Sequence, residues 1–194
     1  MPSATTPTSL IEAVNIILDG IGEAPINSLI SDNEDVNKAL ARIDEASRDI
    51  QGYGLWFNTE TTDISPDGSG EYPLTPDVIT AKAVNFLDRH FVIRGSRMYD
   101  RKNARFNSNT EDLKVELIRL LDFDDLPEEA RRAVFVQAAR KFGDRIIGST
   151  VLHQLLSADE GSAQRRLMSR NLEMERWNSL DSPTTSKAVL RRRI

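Results

Sequence analysis

Catalysis needs reactive side chains in converging sets, and this chain offers few. It has two histidines, His90 and His153, and no cysteine. Without thiols there are no disulfides, thiolate metal sites or cysteine nucleophiles. Carboxylates would have to complete a zinc site, and neither histidine lies in an H-E-x-x-H pattern. His153 falls in a helical stretch and His90 beside a strand-like one, so both read as structural or surface histidines. The composition allows a Ser-His-Asp triad, but no G-x-S-x-G elbow presents a serine. Glycoside hydrolysis would take two facing carboxylates, one kept protonated by an apolar pocket. Glu12 with Glu23, and Asp159 with Glu160, are the pairs at hand. Thirty acidic residues supply such pairs by chance, and helix caps and solvated faces account for them better. Gly20-x-Gly22, Gly52-x-Gly54 and Gly68-x-Gly70 lack the third glycine of a dinucleotide fingerprint and read as caps and turns. No catalytic residue, metal ligand or cofactor is expected, and the chain reads as a non-enzyme.

The remaining features concern binding. Trp56-Phe57 has the character of a pair that anchors a strand to a core rather than of a ligand platform. The formal charge is −5, against the basic balance of a protein that grips DNA. Acidic groups gather over Asp32 to Asp49 and Asp122 to Glu129. Basic groups gather at Arg165, Arg166, Arg170 and Arg176, and again at Lys187 and Arg191 to Arg193. The guanidinium fork matches carboxylates bidentately, so the late arginines are expected to make ion pairs between subunits.

These groups must be positioned by elements, and the pattern reads as α+β. At 194 residues the chain is one domain, or one domain with an insertion. No apolar run approaches the roughly 20 residues that span a bilayer, and the N-terminus shows no signal peptide. Residues 1–8 read as a flexible arm. Ser9 and Glu12 have capping-box spacing, and Leu10, Val14, Ile17, Leu18 and Ile21 follow on one helical face. Gly22 is placed as a left-handed cap, and Pro25 stops continuation. Asp32 or Asn33 starts a second helix with Val36, Leu40, Ile43 and Ile50 inward, ending at Gly52 or Gly54 before a strand at Trp56-Phe57-Asn58. Residues 56–125 read as a β-rich insertion. Within it, Gly95-Ser96 turns a hairpin between Phe91–Arg94 and Arg97–Asp100, and Lys114 to Leu121 forms the last strand. Pro127 opens a third helix. It is apolar over most of its circumference from Ala130 to Ile147, Ile146 included, and is expected to be the most buried. Gly148 breaks it and Ser149 caps a fourth, running from Thr150 to about Trp177. Leu152, Leu155, Leu156, Ala163, Leu167 and Met174 are expected inward, and Gly161 is a weak point or bend. Two helical segments, 9–55 and 126–178, would close a four-helix bundle with the β-rich domain inserted between helices 2 and 3. Residues 179–194 form an extended C-terminal tail.

The two opening segments are Val14 to Pro25 (V-N-I-I-L-D-G-I-G-E-A-P) and Ala41 to Glu60 (A-R-I-D-E-A-S-R-D-I-Q-G-Y-G-L-W-F-N-T-E). Their order and spacing resemble the tail tubular protein A family, the head-to-tail adaptors of short-tailed bacteriophages. Leu126 to Arg132, Ala138 to Phe142, Asp144-Arg145 and Gly148-Ser149 continue the resemblance. It covers nearly the whole chain and is weakest over 60–110 and the final tail. It implies a virion structural protein in a homo-dodecameric ring, between the portal protein and the tail nozzle protein (tail tubular protein B), with tail fibres at the lower junction. Genomic DNA would pass through the channel without sequence-specific binding. The protein would be assembled in the host bacterial cytoplasm and end in the virion tail. Lys187, Leu190, Arg191, Arg192, Arg193 and Ile194 are then expected to dock on the portal or on a neighbouring subunit. Two other classes compete: a tail-associated cell-wall or polysaccharide hydrolase using paired carboxylates, and a DNA-binding module using the late arginines.

Overall fold

The computed structural model describes residues 6–30, 32–85, 90–106, 111–146 and 148–180, with side chains as far as residue 175. The fold is α+β. In chain order it contains α1 (Leu10–Asp19), α2 (Glu34–Gln51), β1 (Thr59–Ile64), β2 (Val78–Ala83), β3 (Phe91–Arg94), β4 (Arg97–Asp100), β5 (Leu113–Arg119), a 3-10 turn (Phe123–Asp125), α3 (Glu128–Ile146) and α4 (Thr150–Leu180). Two compact units result: a helical unit from residues up to 50 and from 123 onward, and a sheet unit of residues 51–122.

In the helical unit the local signals act as read. Ser9 caps α1 through a capping box, its backbone N–H donating to Glu12 Oε2 at 2.8 Å. After α1 the Glu23 N–H reaches the Leu18 carbonyl at 3.1 Å and the Gly22 N–H reaches Asp19 at 3.0 Å. This is the paired closure of a Schellman motif, with Gly22 at φ +82° in the left-handed region. Asn33 caps α2, its side-chain oxygen accepting from the Asp35 N–H at 2.9 Å. Val36, Ala39, Ile43, Ala46 and Ile50 form the buried stripe of α2.

Helix α3 buries residues on every side, among them Ala130, Val134, Phe135, Ala138 and Phe142. Ile146, expected inward, is exposed where the helix ends. Arg131 is buried too. Its guanidinium donates to the carbonyls of Leu126 and Thr8, each at 2.7 Å, and to that of Asp124. Thr8 also donates to the Glu128 carboxylate from its backbone and hydroxyl, at 2.8 and 2.9 Å. Of the expected flexible arm, therefore, residue 8 is pinned, and residues 1–5 lie outside the described residues.

Helix α4 runs through Gly161 without interruption to Leu180, three residues past the expected end and into the segment expected as tail. Its inward face is narrow: Ala163 and Leu167 are buried, while Leu152, Leu156 and Met174 are half-buried. Leu155 was expected with them but is 62% exposed. Successive helical residues are about 100° apart, so a single packed stripe takes Leu156 and turns Leu155 outward.

In the sheet unit β5 lies between β1 and β2, antiparallel to both, and β3 and β4 form a separate hairpin. The hairpin turns at Gly95 and Ser96, with Gly95 at φ +61° as a two-residue turn of this kind requires. Leu113, Val115 and Leu117 of β5 point inward in alternation and share a core with Tyr72, Phe91 and Met98. The expected strand at Trp56-Phe57-Asn58 is a turn. The buried Asn58 side chain accepts from the Leu55 N–H at 2.8 Å and donates to the carbonyls of Gln51 at 2.9 Å and Arg119 at 2.8 Å. Those bonds close the backbone on itself, and pairing begins only at Thr59. Trp56 and Phe57 meet edge to face at 5.0 Å and stay half-buried, while Leu55 takes the buried position.

Candidate functional site

The first place to look for chemistry is the seam between α3 and α4. The Arg140 guanidinium pairs with Glu160, and with Asp144 at 3.1 Å. The hydrogen bond to Glu160 and the two carboxylate charges hold Arg140 firmly protonated against its partial burial. Asp144 also meets His153 Nδ1 at 2.8 Å, and His153 Nε2 lies 3.4 Å from the Ser157 hydroxyl. The structure thus lines up a serine, a histidine and an aspartate that no sequence motif announced. Acyl transfer also needs free N–H groups for the oxyanion. Ser157 is inside α4, where backbone N–H groups bond to carbonyls four residues back. The Asp144 carboxylate is shared with Arg140. The row is a polar clamp between two helices, not a nucleophile and its base.

Neither carboxylate pair faces itself across a cleft. Glu12 closes the capping box in the first turn of α1, and Glu23 lies past the closing turn at the other end of that helix; the helical stretch from Glu12 to Asp19 alone spans roughly 10 Å at 1.5 Å per residue. Glycosidase carboxyls stand about 5 to 9.5 Å apart. Glu160 is engaged by Arg140, while Asp159 borders a groove described below. His90 is exposed, and its carbonyl accepts from the Arg101 N–H at 3.0 Å. Among the described residues no three metal-binding side chains come together, and no helix is long and apolar enough to cross a membrane.

The outer side of α4 is a better candidate, as a docking surface. Arg165, Arg166 and Arg170 line an open depression of about 670 Å³ with Glu129, Ser162 and Glu173. Arg165 donates to the Ser162 hydroxyl at 3.0 Å, and Arg170 pairs with Glu173 at 3.1 Å. Arg166 makes no ion pair among the described residues. Three of the four late arginines are therefore brought to one place, and the side chain of Arg176 lies outside the described residues, as do Lys187, Leu190, Arg191, Arg192, Arg193 and Ile194. Val151, Leu155 and Leu172 add exposed apolar area to the same helix.

The acidic stretch of α2 is less free than its composition suggests. Lys38 holds Glu34 at 2.9 Å and Asp35 at 3.5 Å, Arg48 holds Asp44 at 3.2 Å, and Arg42 holds Glu45. Lys141 of α3 bridges Glu45 at 3.0 Å and Asp49 at 2.5 Å. Burial opposes its charge, yet these bonds keep the Lys141 ammonium above the ordinary lysine range. Asp32 makes no ion pair among the described residues.

Sequence reading missed a groove between α1, α3 and α4. It encloses about 330 Å³, lined mainly by Ile16, Ile21, Phe135, Phe142, Leu152 and Leu156, with Arg132 and Asp159 at its polar edge. It also missed Ile30, which is 95% exposed in the α1–α2 connection. The one available signal was an aliphatic pair, Leu29-Ile30, within a run of Asn, Ser and Asp. This connection is anchored by the Asn15 side chain, which accepts from the Ile26 N–H at 2.8 Å and donates to its carbonyl at 3.1 Å.

Among the described residues the features that stand out are surfaces: the arginine-lined depression on α4 and the apolar groove between α1, α3 and α4. A family model described as tail tubular protein matches residues 11–177. Tail tubular protein A of Klebsiella phage KP34 is 25% identical over 122 residues, covering 62% of this chain and 63% of the relative. The match thus spans less than two thirds of that relative's length. With the family model covering most of its length, the chain belongs to the tail tubular protein family, structural components of the bacteriophage tail.

Proposed function

We propose that this protein is one subunit of an adaptor ring that joins the portal to the tail nozzle and continues the DNA channel. The observation that carries the reading is the state of α4. Helix α4 runs for 31 residues, and among its described side chains the buried hydrophobic ones are Ala163 and Leu167, which leaves most of the described surface uncovered. Covering such a surface with a neighbour is the usual fate of a long, partly apolar helix face. Closing a ring needs one face of each copy to meet a different face of the next. In this reading Arg165, Arg166, Arg170 and Arg176 pair with carboxylates of an adjacent copy, which fixes orientation as well as attraction. The four helices act as one bundle, and the sheet unit is the insertion it carries. Residues 179–194, with Lys187, Leu190, Arg191, Arg192, Arg193 and Ile194, dock on the portal or on the neighbouring subunit. Tail fibres meet the lower rim. DNA slides through without sequence-specific contacts, since a net-acidic ring offers few of the cations that bound phosphates require. No step of this role uses a reactive group.

Mixing the purified full-length protein with a portal ring and imaging the product by electron microscopy tests the reading. A twelve-fold collar on the portal is expected. Two populations that stay separate under all conditions, with no collar in intact particles, would sink it.

A further inference from the structure

The geometry points to a knob and a socket on the same chain: Ile30 of one copy seats in the groove between α1, α3 and α4 of the next. This inference rests on the reading that copies of the chain form a ring, and it names the contact between them. Ile30 is 95% exposed, so it does not occupy the groove of its own chain. A lone exposed aliphatic residue needs no explanation in itself. Here its setting differs, because the chain leading to it is fastened to α1. Asn15 holds both backbone groups of Ile26, and the Ile30 N–H donates to the Ser28 hydroxyl at 3.2 Å. A side chain presented on a fastened connection loses little freedom when it docks.

The socket suits the knob. At about 330 Å³ it is at the small end for a ligand pocket, and its lining of Ile16, Ile21, Phe135 and Leu156 is aliphatic and aromatic. That fits one or two aliphatic side chains better than a cofactor or a whole helix. Charge agrees as well. Asp32 lies two residues beyond Ile30, and of the two charged residues at the groove edge, Arg132 and Asp159, the arginine is its match. Neither Asp32 nor Arg132 makes an ion pair among the described residues, so seating the knob on the Arg132 side of the edge lets the two pair. A knob on one surface and a socket on another is the arrangement that propagates head to tail and closes into a ring when the rotation allows.

The natural chain has no cysteine, so a single pair of new ones reports unambiguously. Ile30→Cys and Ala139→Cys in the same full-length chain, treated with a short bismaleimide after assembly on a portal ring, should give a ladder of covalent products running past the dimer. Ala139 sits half-buried among the groove residues, so this change is mild. Ile30→Asp should weaken assembly about ten- to hundred-fold, the scale for burying one aliphatic side chain, and leave the thermal unfolding of the free protein unchanged. Normal assembly of Ile30→Asp overturns the inference. So does a ring that forms but yields no ladder, or a product that stops at the dimer. Cross-linking of Ala139→Cys to Leu190→Cys in its place would give the groove to the C-terminal segment and overturn it too. Failure of the unaltered chain to form any ring is a different result, which removes the ring reading and takes this inference with it.

Discussion

Helices α3 and α4 are neighbours in one unit, yet they use their surfaces in opposite ways. Ten residues of α3 are buried, including a glutamine and an arginine. Over a much longer run, α4 fully buries the hydrophobic side chains of Ala163 and Leu167. The surface of α3 is satisfied inside the subunit: Phe142 and Val134 by packing, Arg131 by carbonyls, Lys141 by carboxylates of α2. Among its described residues, that of α4 is satisfied along the stripe that carries Ala163 and Leu167. A helix packed all round defines the subunit, and a helix packed on one side leaves its remaining faces available to something else.

The largest effects should separate the two helices directly. Phe142→Ala removes a fully buried ring from α3 and should cost about 3–5 kcal/mol in a denaturant titration. Leu172→Ala, at a residue 60% exposed on α4, should stay within about 0.5 kcal/mol of the parent in the same titration. A comparable loss from both would mean that the outer side of α4 belongs to the core and would dissolve the contrast. Next in size, Asn58→Ala should cost about 2 kcal/mol, because it leaves the buried Leu55 N–H without its acceptor and takes a donor from the carbonyls of Gln51 and Arg119. Amide hydrogen exchange should rise in the sheet unit and leave α3 unchanged, which sharpens the comparison by showing that the seat of α3 does not depend on it.

The smallest effect is a pH dependence at the link between α2 and α3. Hydrogen bonds from Arg42 and then Lys141 hold the Glu45 carboxyl below the usual glutamate range. The unfolded chain takes up that proton at a higher pH than the folded one. The contribution is therefore present above about pH 4.3 and fades as pH falls. Lys141 has the opposite sign. Its folded ammonium holds its proton more tightly than the unfolded one, so its contribution is complete below about pH 10.4 and fades as pH rises further. Melting temperature should form a plateau that declines slightly at both ends. Lys141→Met should reduce both declines, leaving at the alkaline end the part that Lys38 contributes through its bond to Glu34. A plateau unchanged by the substitution would show that this cross-helix link adds nothing to the seating of α3.

Much of the helical unit was legible because its signals are local. Ser9 with Glu12, the Gly22 cap and the apolar circumference of α3 each depend on a few neighbouring residues. The Phe91–Asp100 hairpin was readable for the same reason, since a two-residue glycine turn fixes its own register. The outer strands β1 and β2 were not. Thr59 to Asp63 is polar on both faces, with Ile64 alone reaching the core, and the segment becomes a strand because β5 offers hydrogen bonds along its edge. Trp56 to Asn58 has strand-like composition, and the Asn58 amide overrides it with bonds to residues as distant in sequence as Arg119. The inward side of α4 was ambiguous because apolar residues fall on more than one face, and packing against α3 selected Leu156 over Leu155. The surface candidates divide in the same way. The clustering of Arg165, Arg166 and Arg170 follows from helical spacing, whereas the alignment of Asp144, His153 and Ser157 exists only once α3 and α4 have met, and the groove near Ile16 only once α1 has joined them.

The Gln51 side chain bonds both backbone groups of Leu121, donating to the carbonyl at 2.9 Å and accepting from the N–H at 2.8 Å. One amide thereby ties together the points where the polypeptide departs into the β-rich excursion and returns from it. What lies between behaves as a closed loop of fixed mouth, and doubling such a loop adds only about 0.6 kcal/mol of closure entropy. The excursion can consequently lengthen, shrink or exchange its contents during evolution at little thermodynamic expense, and it is the natural place to graft a reporter or a new receptor-facing module.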